Sequence, residues 1–147
     1  MTGNAPGRIL AVDPGEKRLG LAISDPSQTI ATPLTVIQHQ SRAADAERIL
    51  NTAKEHGAVV IIVGHSVDDE GNETRQGEKC VRLAEQIRKE GEIPVTLWDE
   101  YGSTQAAQAA RRKMGVTRRK RSGHLDDLAA AVILQNFLDA GQTEAER

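Results

Sequence analysis

Residues 9–25 read ILAVDPGEKRLGLAISD. A short apolar run ends in a carboxylate, Asp13. A Pro-Gly pair turns the chain, Lys17 and Arg18 form a cationic tip, and a second apolar run follows. The pattern predicts two strands joined by a tight Gly-containing loop, Arg8 to Asp13 and Leu19 to Ser24. It also places an acid at the carboxyl end of a buried strand, where α/β proteins bind ligands.

The flanking sequence extends this hairpin into an α/β layer fold. Thr35 to Ile37 reads as a third, short strand. Ala43, Ala46, Ile49, Leu50 and Ala53 recur at helical spacing over residues 43–56, with Gly57 as the stop. The run AVVIIV at 58–63 is a strand apolar on both faces, and 64–72 is a polar loop. Residues 74–90 predict a second helix, with Cys80, Leu83, Ala84 and Ile87 inward. PVTLW at 94–98 predicts another buried strand that runs into Asp99 and Glu100. Ser103 can cap a helix to Met114, and Leu125 to Leu138 predicts a last helix with Asp126 and Asp127 at its start. The order β-β-β-α-β-α-β-α-α implies an antiparallel hairpin edge, parallel strands joined through helices, and helices packed on the sheet.

The 147 residues suit one domain with its own core, and residues 1–7 and 140–147 read as flexible tails. With 2% aromatic residues, the core is aliphatic and base-stacking platforms are disfavoured. The single cysteine, Cys80, excludes a disulfide framework and a Cys-based zinc site. It fits a reducing, cytoplasmic setting. No apolar run approaches membrane-spanning length, and residues 1–7 lack the apolar core of a signal peptide. The net charge of −2 conceals an uneven distribution. Arg111, Arg112, Lys113, Arg118, Arg119, Lys120 and Arg121 form one basic run, suited to a polyanion or to plain solvation.

Three carboxylate sites fall where the sheet should open: Asp13, the Asp99-Glu100 pair, and the Asp126-Asp127 pair. Singly, each could be a turn or cap residue. Together, converging carboxylates repel unless a cation lies between them. Such oxygen donors suit Mg²⁺ or Mn²⁺. Two ions about 4 Å apart would clamp the attacking and leaving oxygens of a phosphodiester displacement. Of the adjacent helical pair, only one residue can face the site.

AVDPGEKRLGLAISD, VVIIVGHSVDDEG, LWDEYGST and HLDDLAAAVILQNFL stand in the order and spacing of the YqgF/RuvX family, which this sequence resembles from about Arg8 to Leu138. The resemblance implies an RNase H-like three-layer fold, a mixed five-stranded sheet with helices on both faces. It implies a nuclease of structured RNA, acting in 5′ maturation of pre-16S rRNA, or a Holliday-junction resolvase on branched DNA. It also implies that Asp13, Glu100 and Asp126 bind the metal. Asp99 precedes Glu100 along the strand, so in an extended strand it points to the other face and reads as a supporting residue. Lys17, Arg18, Arg111, Arg112, Arg118, Arg119, Lys120 and Arg121 are the candidate backbone-phosphate contacts.

Two departures stand against the pattern. Tyr101 occupies the position of the family's usual Arg and cannot supply a guanidinium clamp. Gly64-His65-Ser66 replaces the usual Gly-Leu-Pro, and His65 could contact phosphate or carry a proton. These departures keep open a non-catalytic nucleic-acid-binding module. The motif DPGEKRLG also resembles the phosphate loop of actin-like kinases, but one lobe would not enclose a nucleotide. The RNA enzyme could be a monomer, whereas symmetric cutting of a junction needs a homodimer. No membrane role is expected.

Overall fold

The computed structural model describes residues 7–65, 74–99 and 126–145, with only the backbone described at Asp99, Asp126, Asp127 and 141–145. Its elements are β1 (Arg8–Pro14), β2 (Arg18–Ser24), β3 (Ala31–Gln38), α1 (Arg42–Glu55), β4 (Ala58–His65), α2 (Arg75–Glu90), β5 (Val95–Asp99) and α3 (Asp126–Ala145). The strands form one mixed sheet in the order β3-β2-β1-β4-β5. β1, β2 and β3 pair antiparallel, while β1–β4 and β4–β5 pair parallel. The predicted α/β layering, with helices on both sheet faces, is therefore present.

The pleat alternation sorts the core into two halves. Leu10, Val12, Leu19, Leu21, Ile61, Val63 and Val95 face α1 and α2, where they meet Ile49, Leu50, Leu83 and Ile87. Ile9, Ala11, Ala22 and Ile62 face α3 and pack on Ala130, Ile133, Leu134 and Leu138. Small residues on the β1–β2 ribbon let α3 lie close to the sheet. α3 crosses its face with Gln135 and Phe137 on opposite flanks. Gln135 accepts from the Ala31 amide and donates to the Thr29 carbonyl, both at 3.0 Å. Phe137 meets Trp98 edge-on, with ring centroids 5.2 Å apart.

The helices start where the sequence supplies caps. Ser41 Oγ accepts from the Ala44 amide at 3.1 Å, and Thr74 Oγ1 accepts from Gly77 at 2.9 Å. Just beyond α1, Gly57 takes φ +69°, a conformation glycine adopts without steric cost.

Two boundaries differ from the sequence reading. β3 spans Ala31–Gln38 rather than Thr35–Ile37, because its backbone pairs with β2 along the whole length from Ala31 to Gln38. As an edge strand it is largely exposed, so it carries no apolar alternation to read. The last helix continues past Leu138 to Ala145, through residues without the apolar spacing that marked its earlier turns. The predicted Ser103–Met114 helix lies outside the described residues.

Candidate active site at the carboxyl ends of the parallel strands

β1, β4 and β5 finish together. Val12 is in register with Val63, and Val63 with Leu97. One step further come Asp13, Gly64 and Trp98, and Gly64 pairs with Trp98. On the other side of β1, Asp13 pairs with Gly20 of β2. The half-buried Asp13 follows Ile9 and Ala11 in the alternation, so it belongs to the α3 face. Both strands beside it carry glycine there.

The result is a gully in the sheet: Asp13 is flanked by Gly20 and Gly64, two residues that carry no side chain. Trp98 closes it on the β5 side, about two strand spacings, or roughly 10 Å, from Asp13. The Trp98 indole nitrogen is buried and has no hydrogen-bond partner among the described residues. Glycines inside strands mark places where a ligand or another backbone approaches. Gly20 and Gly64 were the overlooked signal: each is the one glycine in a strand of otherwise mostly apolar residues.

The turn after Asp13 is held on several sides. Gly15 N–H donates to the Arg18 carbonyl at 2.9 Å. A Cβ at Gly15 would lie 2.5 Å from that same oxygen, so the turn requires glycine. Gln76 of α2 donates to the Pro14 carbonyl at 2.8 Å, and the His39 amide donates to the Lys17 carbonyl at 2.8 Å. These bonds fix the backbone immediately after the carboxylate.

The other expected site residues distribute as follows. Asp126 is the first residue of α3, the helix that covers the face of Asp13. Lys17 and Arg18 sit exposed at the hairpin end, next to the gully. His65 ends β4 in register with Asp99. It has the alternation of Ile61 and Val63, which face α1 and α2. The strands therefore do not bring His65 to the face of Asp13. Glu100, Tyr101, Ser66 and the cations Arg111, Arg112, Arg118, Arg119, Lys120 and Arg121 lie outside the described residues. Among the described residues, no group of three His, Cys, Asp or Glu could hold a metal ion.

Comparison with known proteins agrees with this architecture. The sequence profile of the RuvX family, described as Holliday junction resolvase, matches residues 7–140. A protein of Thermoanaerobacter pseudethanolicus named "Putative pre-16S rRNA nuclease" is 42% identical over 134 residues, covering 90% of this chain and 96% of the relative. A relative of the same name from Desulforamulus reducens is 37% identical, covering 91% of this chain and 98% of its own. Among solved structures, Thermus thermophilus RuvC in complex with a Holliday junction superposes with a TM-score of 0.54 at 17% identity, covering 92% of this chain and 96% of RuvC. The fowlpox virus Holliday junction resolvase gives 0.52 at 14% identity, covering 90% and 99%. At these identities the two structures speak for the fold.

Proposed function

The chain belongs to the RuvX family, and from that premise we propose that it is a divalent-metal nuclease that hydrolyses phosphodiester bonds in structured RNA, in the 5′ maturation of pre-16S rRNA. The observation that carries this reading is the placement of Asp13. It stands at the carboxyl end of β1, between glycines, on the face covered by α3. A carboxylate held at a strand end between glycines suits a ligand better than it suits packing.

Asp13, Glu100 and Asp126 are the proposed metal-binding and catalytic residues. Their donors are all hard carboxylate oxygens, which fit Mg²⁺ or Mn²⁺ and not a soft-metal site. When bound, a pair of such ions supplies charge stabilisation to both the attacking and leaving oxygens. The chain's own contribution is geometric. β1 and its anchored turn hold Asp13 in place. Lys17 and Arg18, with the basic run at 111–121, draw in the phosphate backbone. His65, Asp99 and Tyr101 are the proposed auxiliary residues. We assign the protein to the cytoplasm, acting as a single domain.

The family's description as a Holliday junction resolvase favours a second reading, with branched DNA as substrate. The chemistry is the same, but two copies must act on opposing strands. One experiment separates the two. Labelled pre-16S rRNA fragments and a four-way DNA junction are incubated with wild type and Asp13→Asn, in Mg²⁺, Mn²⁺ or EDTA. The proposal expects metal-dependent cutting of the RNA that is lost in the variant while binding persists. Preferential cutting of the junction, by a dimer, establishes the second reading. Equal activity of wild type and variant overturns the site.

A further inference from the structure

The opposite face of the same strand ends holds a cavity that the nuclease reading does not use. Pro14, Gly15 and Glu16 of the turn form one wall, the start of α1 a second, and α2 a third. Arg42, Lys79 and Arg82 line it together with His39 and Asp45. These three cations come from two helices and converge on one space. Among the described residues, none of them makes a side-chain hydrogen bond or ion pair. Two other helix arginines are anchored: Arg48 donates to the Gln38 carbonyl at 3.2 Å, and Arg88 to the Val95 carbonyl at 2.8 Å.

The acids at this cavity are largely occupied. Asp45 is 2% exposed. One of its oxygens contacts His39 Nδ1, and the other accepts from the Gln40 amide at 3.0 Å. This contact orients the imidazole of His39, which is itself 45% exposed. Among the described residues that line the cavity, Glu16 at the exposed turn is the remaining acid. The N-terminus of α1 adds to the positive potential. Ser41 satisfies the amides of Ala44 and Asp45, so those of Arg42 and Ala43 have no intrahelical partner. The volume, about 260 Å³, lies below the roughly 300–1,000 Å³ that drug-sized ligands occupy. It suits a small, highly charged group.

We propose that this cavity is a phosphate-binding site that holds a backbone phosphate of the nucleic-acid strand on the α1–α2 side of the turn, while the scissile bond lies at Asp13 on the α3 side. Arg42 and Arg82 offer guanidinium forks, Lys79 a point charge, and α1 two free amides. The turn from Pro14 to Arg18 separates the two sites and touches both, so a strand draped over it reaches each of them. The backbone origin of the phosphate rests on the nuclease reading; the cavity's preference for phosphate does not.

The test is binding in EDTA, where no cleavage intervenes. Affinity for the pre-16S rRNA fragment and for the four-way junction is measured against salt for wild type, Lys79→Ala/Arg82→Ala and, as a control, Lys54→Ala. Lys54 removes one charge at the far end of α1. Lys79 and Arg82 are exposed, and circular dichroism checks that the variant folds. The double variant is expected to bind about tenfold more weakly at moderate salt. Its slope of log affinity on log salt should be shallower by about 1 to 2, and the control slope unchanged. In parallel, inorganic phosphate and a nucleoside monophosphate are titrated against the Arg42 and Ala43 amides and the His39 ring by NMR, with shifts expected in wild type and lost in the double variant.

An unchanged slope, or no polynucleotide binding by wild type, overturns the backbone role. Shifts that persist under that outcome assign the cavity to a free phosphate ester, and absent shifts overturn the site altogether. Failure of the nuclease reading is distinct: it shows as absence of cleavage in Mg²⁺ or Mn²⁺, with the salt slopes untouched.

Discussion

The two faces of the sheet at the carboxyl ends of β1 and β4 share a backbone and differ in nearly everything else. On the α3 face, Asp13 lies between Gly20 and Gly64, with small residues and one helix above it. On the α1–α2 face, one residue later, the chain borders a cavity ringed by Arg42, Lys79 and Arg82. One face offers a carboxylate flanked by glycines, and the other offers cations around a cavity. The pleat turns consecutive residues to opposite sides, so a single turn can serve a cation-binding centre and an anion-binding one.

The comparison can be broken most decisively at Asp13. Asp13→Asn is expected to reduce metal-dependent cleavage roughly a thousandfold or more while nucleic-acid binding in EDTA persists; a gel-based cleavage assay reads the first and fluorescence anisotropy the second. Next in size is Gly64→Val, which sets an isopropyl group in the gully beside Asp13. Misplacing reacting groups by about 1 Å costs about a hundredfold, so single-turnover cleavage should fall by that order with little change in binding. Lys79→Ala/Arg82→Ala acts on the other face, with the tenfold loss of affinity given above.

Gly15→Ala strikes the shared turn. Its Cβ would crowd the Arg18 carbonyl, and denaturant titration should show a loss of about 1–3 kcal/mol. The smallest effect belongs to Asp25, at the opposite end of β2. The Ile30 amide, the Ser27 hydroxyl and the Thr29 amide all donate to its carboxylate. They hold its pKa down from the ordinary 3.8 to about 2. A carboxyl lowered on folding contributes stability above its unfolded value and loses it as pH falls through the folded one. Asp25→Asn should therefore flatten the acid limb of the stability curve between about pH 4 and 2 and leave neutral-pH cleavage alone.

The legibility of these features in the sequence follows their chemistry. β1 and β4 are buried on both faces, so their apolar runs announce them. β3 is an edge strand whose exposed residues carry no pattern, and only its pairing with β2 defines its length. The carboxylate at the strand mouth was legible because one acid after four apolar residues is conspicuous. The gully was not, because Gly20 and Gly64 acquire meaning only when the register sets them beside Asp13 and Trp98. The cationic cavity was least legible of all. Its residues come from three separate stretches, 14–19, 39–45 and 76–83, and each reads locally as an ordinary turn or solvated helix.

The division of the core has a consequence for assembly during synthesis. Among the described residues, the α1–α2 half draws on the stretch between Leu10 and Leu97, which a ribosome releases early. The other half needs Ala130, Ile133, Leu134 and Leu138 of α3. A nascent chain emerging residue by residue can thus consolidate one layer while the opposite surface, with Ile9, Ala11 and Ile62, still faces water. The Asp13 face is completed last, and the cationic cavity takes shape before α3 covers the opposite side.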